Sequence, residues 1–202
     1  VSRRRPNPYR RPDAHTRAAR AAGYAARSVF KLEEIDRRAR LLRPGERVLD
    51  LGAAPGSWSR YAAERIGPEG RLLAVDRRPL AQALPPWCHA LEGDVLALGD
   101  ALAAAGPYDV VLSDMAPDTS GDRATDQARS HALFEAALDV AERMLDPGGA
   151  FVGKLFMGPD FEAARARMRA LFDEVRVMRP EAVRTRSTEV FLVGRGRRPA
   201  AR

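Results

Sequence analysis

This chain has almost no cysteine and almost no lysine. Its 202 residues include a single cysteine, Cys88, which excludes an intrachain disulfide and a thiolate cluster for a metal. Three histidines at scattered positions form no ligand set of recognisable spacing, so no metal site is expected. No apolar run is long enough to cross a bilayer, and the charged N-terminus lacks the apolar core of a secretory signal. These absences predict an intracellular, cytoplasmic protein that does not embed in a membrane. The lysine shortage carries a further question. Only two of the 34 basic residues are lysines, Lys31 and Lys154; the other 32 are arginines. A lysine kept against that background invites a chemical role. Its compact ammonium can surrender a proton or enter a small slot, which the broad, always charged guanidinium cannot.

Base outnumbers acid, 34 residues to 27, for a formal charge of +7. A basic surface suggests an anionic partner, with nucleic acid the first expectation. At 202 residues the chain has the size of one domain with a full core. Residues 1–27 are rich in arginine and proline and poor in apolar side chains, and read as a basic flexible segment suited to phosphate contacts. Residues 28–198 read as the domain and 199–202 as a short tail.

The chain is organised around Arg47 to Tyr61, RVLDLGAAPGSWSRY. Val48, Leu49 and Leu51 read as a buried strand ending at Asp50 and Gly52. A turn of Ala53, Ala54, Pro55 and Gly56 follows, and Ser57 is placed to cap a helix running to Ile66. Strand, small-residue turn and helix is how an open α/β sheet offers backbone N–H groups to a ligand. The run lacks the GxGxxG spacing of a dinucleotide fold and the Lys-Ser or Lys-Thr of a P-loop. A ligand carrying adenosine without a phosphate fits it better.

Strands then alternate with helices. A helix from Ser28 precedes the first strand and carries Lys31 in its first turn, an unfavourable place for a cation. Later strands are expected at Arg71–Val75, His89–Glu92, Tyr108–Ser113, Ala150–Leu155, Phe172–Val177 and Val190–Val193. Acids stand at their ends. Asp76 lies where an acid would meet a ribose diol in a nucleotide-binding unit. Asp94 could accept from an adenine amino group. By pattern alone Asp94 and Asp114 also read as turn residues, Glu189 as a solvated charge at a strand start, and Lys154 as a strand-end residue reaching solvent.

The stretches RSVFKLEEI, LDLGAAPGSWS, SDMAPDTSG, LDPGGAFVGKLF and RSTEVFLV resemble, in that order, the FtsJ-like ribosomal RNA methyltransferases of the bacterial RlmE type. The resemblance covers roughly residues 28–198. It implies a Rossmann-like S-adenosylmethionine-dependent methyltransferase fold of the α/β class, with a mostly parallel seven-stranded sheet flanked by helices. It implies methyl transfer from S-adenosyl-L-methionine to the 2′-hydroxyl of a uridine ribose in large-subunit ribosomal RNA, within the 50S subunit, by a monomer. The family's catalytic Lys-Asp-Lys-Glu set falls on Lys31, Asp114, Lys154 and Glu189, which accounts for both lysines. The cofactor is expected beside Asp50, Gly52, Ala53, Pro55, Gly56, Trp58, Asp76, Asp94 and Asp114. In this likeness Asp76 holds the ribose, Asp94 the adenine edge, and Asp114 faces the methionine part. Three positions depart from the family pattern: Ser57 replaces a common glycine, Asp118 a common asparagine and Val29 a frequent aromatic. Two other classes compete: a non-catalytic RNA-binding module on the same scaffold, and an NAD-dependent oxidoreductase, which the first loop disfavours.

Overall fold

The computed structural model describes residues 13–199. The outermost parts of the basic segment and of the tail lie outside the described residues. Seven strands form one sheet: β1 Arg47–Leu51, β2 Arg71–Asp76, β3 Cys88–Glu92, β4 Tyr108–Ser113, β5 Leu145–Phe156, β6 Phe172–Met178 and β7 Glu189–Arg197. Six helices accompany them: α1 Ala14–Ala21, α2 Val29–Ala39, α3 Ser57–Ile66, α4 Gly99–Ala105, α5 Arg123–Met144 and α6 Phe161–Leu171. The sheet order is β3-β2-β1-β4-β5-β7-β6. Strands β1 to β5 pair in parallel, and β7 runs antiparallel to both β5 and β6. The order therefore reverses between β1 and β4. That switch point opens a crevice at the carboxyl ends of the parallel strands, which is where ligands bind in such sheets.

Alternation along the strands divides the core between the two faces. Leu49, Leu51, Val111 and Phe151 point to one face with Phe134, Leu138 and Met168. Val48, Val110, Leu112 and Val152 point to the other with Leu32, Ile35, Ala62 and Ile66. Asp36 on α2 is 2% exposed yet fully engaged. Its Oδ1 accepts from the amides of Leu41 and Leu42, and its Oδ2 from the Tyr61 hydroxyl and Arg65 Nε. This buried carboxylate ends α2 and ties it to α3.

The structure departs from the sequence reading in three places. Residues 13–27 are not without structure. Asp13 caps α1 by accepting from the Thr16 amide at 2.8 Å, and Ala19 is fully buried. Small alanines let this arginine-rich helix seat one face while its charges stay in solvent. Ser57 is not the cap of α3. Gly56 takes that place with a φ of 109°, and Ser57 Oγ accepts instead from the Ala26 amide at 2.8 Å. Strand β5 also starts earlier than expected, at Leu145. Its pairing with β4 shifts register between Tyr108 and Val110, which accommodates Pro147-Gly148-Gly149 within the strand. Among the described residues no helix is long and apolar enough to cross a membrane.

Candidate active site

The loop after β1 is built for close approach. Gly52 has a φ of +75°, a region that favours glycine, and a Cβ there would lie 2.6 Å from Met115 Cγ. Its amide and that of Ala53 donate to the Val75 carbonyl at 2.8 and 3.1 Å. These bonds draw the loop against the end of β2. There Asp76 is fixed from both sides: Oδ2 accepts from the Ala54 amide and Oδ1 from the Arg78 amide, each at 2.9 Å. Each oxygen keeps a lone pair for a further donor.

Above this loop lies a cavity of about 500 Å³. Gly52, Asp76, Asp94, Asp114 and Lys154 line it. Val95, Leu96, Met115, Leu133 and Ala136 line it too and supply an apolar wall. Leu133 shares the helical phase of the buried Ala137, Val140 and Met144 on α5, but it lines the cavity. Arg77 is a further lining residue that sequence reasoning missed; its guanidinium pairs with the Asp94 carboxylate, which also accepts from the Leu96 amide at 3.0 Å. The Leu96 amide, and then the Arg77 guanidinium, hold the Asp94 carboxyl below the usual carboxylate range.

Five expected cofactor neighbours stand back from the cavity wall. Ala53, Pro55 and Gly56 shape the loop. Asp50 is 0% exposed beneath it, with Oδ2 accepting from Ser59 Oγ at 2.6 Å and Oδ1 without a hydrogen-bond partner among the described residues. Burial drives its carboxyl up to about 7, and the nearby charges of Asp114 and Asp76 push the same way. Trp58 is buried in the core beside α2. Its indole N–H donates to the Ser28 carbonyl at 2.8 Å, and its ring lies 5.7 Å from that of Phe191. An aromatic in the first turn of α3 thus anchors the start of α2, not the cavity.

That anchoring matters because α2 carries Lys31. The four residues expected to be catalytic come from α2, the position just after β4, β5 and β7, and meet in one chain of contacts. Lys154 Nζ is 3.1 Å from Asp114 Oδ1 and donates to the Asp114 carbonyl at 2.5 Å. Lys31 Nζ is 2.6 Å from Glu189 Oε1 and 3.9 Å from Asp114 Oδ1. Lys154 is 6% exposed and Glu189 8%. Two ammonium groups face two carboxylates, so the set is near neutral overall.

On the far side of the set is a second cleft of about 370 Å³. Lys31 and Glu189 line it with Arg27, Ser28, Arg184, Arg186 and Ser187. Asp114 and Lys154 belong to the first cavity, Lys31 and Glu189 to the second. The four residues are therefore the partition between an acid-rich, part-apolar cavity and an arginine-rich cleft.

The cavity suits S-adenosyl-L-methionine on its own chemistry. Its volume falls in the range of small-ligand sites. The bare Cα of Gly52 lets Met115 pack directly against the loop, where a Cβ would strike it. Asp76 offers acceptors to a diol, and the four lining aspartates, Asp76, Asp94, Asp114 and Asp118, suit a cationic sulfonium.

Comparison with known proteins agrees with the geometry. The sequence model of the FtsJ-like methyltransferase family matches residues 24–197. A protein named Ribosomal RNA large subunit methyltransferase E from Sorangium cellulosum is 62% identical, covering 100% of this chain and 96% of the relative. Its namesake from Anaeromyxobacter sp. is 49% identical over 96% of this chain and 72% of the relative. Among solved structures, a putative ribosomal RNA methyltransferase from Plasmodium falciparum superposes with a TM-score of 0.73 at 21% identity, covering 86% of this chain and 98% of that one. Aeropyrum pernix fibrillarin with natively bound S-adenosyl-L-methionine gives 0.58 at 16% identity, over 75% and 67%. These last two likenesses speak to the fold. The family match and the two bacterial relatives establish that the chain belongs to the FtsJ-like methyltransferase family, whose methyl donor is S-adenosyl-L-methionine.

Proposed function

We propose that this protein methylates the 2′-hydroxyl of a uridine ribose in large-subunit ribosomal RNA, with Lys31, Asp114, Lys154 and Glu189 as its catalytic set. The observation that carries the reading is the position of that set between an adenosine-sized cavity and a basic cleft. A cofactor on one side and a polyanion on the other would then meet at these four side chains. The protein works as a cytoplasmic monomer on the 50S subunit, with residues 28–198 as the catalytic domain. Its basic N-terminal segment adds phosphate contacts.

S-adenosylmethionine supplies a methyl group already activated on a sulfonium. The chain must hold the ribose oxygen in line with it, and such positioning can account for much of a barrier. Asp76 orients the adenosine end through its free lone pairs. Asp94 meets the adenine edge once Arg77 yields one of its contacts. Lys154 lies beside the attacking oxygen. Both near groups around its Nζ, the Asp114 carboxylate and carbonyl, are acceptors, which is the setting of an ammonium. Its charge stabilises the alkoxide that develops as the oxygen takes the methyl group from the sulfonium, which leaves as the neutral thioether, and the hydroxyl proton passes to water. Glu189 and Asp114 hold Lys31 and Lys154 apart and in register, and Lys31 steadies the hydroxyl or its neighbouring phosphate from the cleft side.

The test is single-turnover transfer of labelled methyl to 50S subunits and to naked ribosomal RNA, with the product mapped by nucleotide. Label at a ribose 2′-oxygen is expected. Label on a base would overturn the reaction class. RNA binding without transfer would favour a non-catalytic module.

A further inference from the structure

The cleft's outer wall is the loop between β6 and β7, residues 179–188, which has neither helix nor strand to order its backbone. Arg179 opens it. Its Nη2 donates to three carbonyls of the same loop: Ser187 at 2.8 Å, and Arg184 and Thr185 at 3.4 Å each. Among the described residues no carboxylate pairs with it, although the surface is rich in acid. Side chains from elsewhere also grip the loop: Glu34 Oε2 accepts from the Glu181 amide at 2.8 Å, and Arg27 donates to the Ala182 carbonyl. The loop closes on itself through the Ser187 amide and the Arg184 carbonyl at 2.9 Å. It then delivers Glu189, whose amide donates to Ser187 Oγ at 3.2 Å.

We propose that Arg179 is a positioning residue for the RNA substrate. By gathering the carbonyls of Arg184, Thr185 and Ser187 on one side, it leaves the cleft face of the loop to the side chains of Arg184, Arg186 and Ser187. The proposal rests on the methyltransferase reading for its kinetic consequences but not for its structural one. Carbonyl oxygens turned into the cleft would repel phosphate oxygens, whereas the arginines attract them. A guanidinium is suited to this work because its planar fork holds several acceptors at once, which an ammonium on a flexible stem does less well. The same loop ends at Glu189, so its order also fixes one end of the catalytic set.

Arg179→Ala is compared with Arg176→Ala, which removes an equal charge from neighbouring β6. Hydrogen exchange of residues 184–188 should quicken in Arg179→Ala alone, while residues 52–56 and the affinity for S-adenosylhomocysteine stay as they were. The KM for ribosomal RNA should rise about tenfold, with kcat falling by less than about threefold. Arg179→Lys should restore part of the loss. Combining Arg179→Ala with Arg186→Ala should cost less than the two losses added, because the first acts partly through the second. Unchanged exchange in the loop would overturn the proposal. So would an effect no larger than that of Arg176→Ala, or strict additivity with Arg186→Ala. If the parent chain transfers no methyl at all, the catalytic reading falls, and loop exchange with RNA affinity still decides the role of Arg179.

Discussion

The cavity at the end of β1 and β2 and the cleft beside β7 lie on either side of the same four residues, yet they are made in opposite ways. The cavity relies on backbone. Gly52, the amides of Ala54 and Arg78, and a carboxylate fixed by both leave little to adjust. The cleft relies on long side chains and on a loop ordered by other side chains. A small ligand of one shape rewards rigid amides at fixed distances. A polyanion rewards charge, which acts at longer range and tolerates looser geometry.

Substitutions can sharpen that contrast, the largest effect belonging at the boundary. Lys154→Ala should lower turnover at least about a hundredfold, equivalent to about 2.7 kcal/mol of transition-state stabilisation. It should leave cofactor and RNA affinities within a few-fold. Lys154→Arg should rescue poorly, since Nζ is held in a buried slot between Asp114 atoms and a planar fork does not fit it. Single-turnover kinetics with separate binding isotherms decide the matter, and parental turnover in either variant would refute the proposed mechanism.

Within the cavity, Asp76→Ala should weaken S-adenosylhomocysteine about tenfold to a hundredfold, the range for a lost charge-assisted hydrogen bond. RNA affinity should hold. Calorimetry reads the first and filter binding the second; parallel losses in both would mean the two sites are not independent.

On the cleft side, Arg186→Ala should weaken RNA binding a few-fold and flatten the logarithmic salt dependence by about one unit. Cofactor affinity should not move. A slope equal to the parent's would remove Arg186 from the phosphate path.

The smallest effect concerns Asp50, below the cavity floor. Its carboxyl is raised from 3.8 to about 7 by burial, so the folded state takes up a proton that the unfolded state has released. Stability from this group is present below pH 3.8 and is lost as pH rises toward 7 and beyond. Asp50→Asn should therefore gain thermal stability relative to the parent as pH increases from 5 to 8. A difference in Tm that does not vary with pH would show that Asp50 ionises freely in the fold.

The sequence makes much of this legible, for reasons that differ by element. Strand β4 has the expected bounds because the apolar Tyr108–Ser113 run ends sharply at Pro107 and Asp114. The turn at Gly52 and the acid at Asp76 follow from local chemistry. The partition of Lys31, Asp114, Lys154 and Glu189 is different: pattern alone left Glu189 as a solvated charge, and only the family resemblance joined it to the other three. What remained hidden depends on tertiary closure. Leu133 has the same helical phase as core residues, and only the open crevice above β4 turns it toward a ligand. Trp58 sits in a motif but serves α2. The burial of Asp36 and the carbonyl contacts of Arg179 come from segments that meet only after folding.

Strand β7 has a consequence for the order in which the protein becomes active. It lies between β5 and β6, so β6, though made earlier, has no sheet neighbour until β7 arrives. The same strand brings Glu189 to Lys31, 158 positions away along the chain. A nascent chain lacking it keeps β5 as an open edge and an incomplete catalytic set. Its adenosine cavity draws on residues no later than Lys154. Every residue that lines the cavity is therefore made before β7, whereas the contact between Lys31 and Glu189 closes only when that last strand of the sheet is in place.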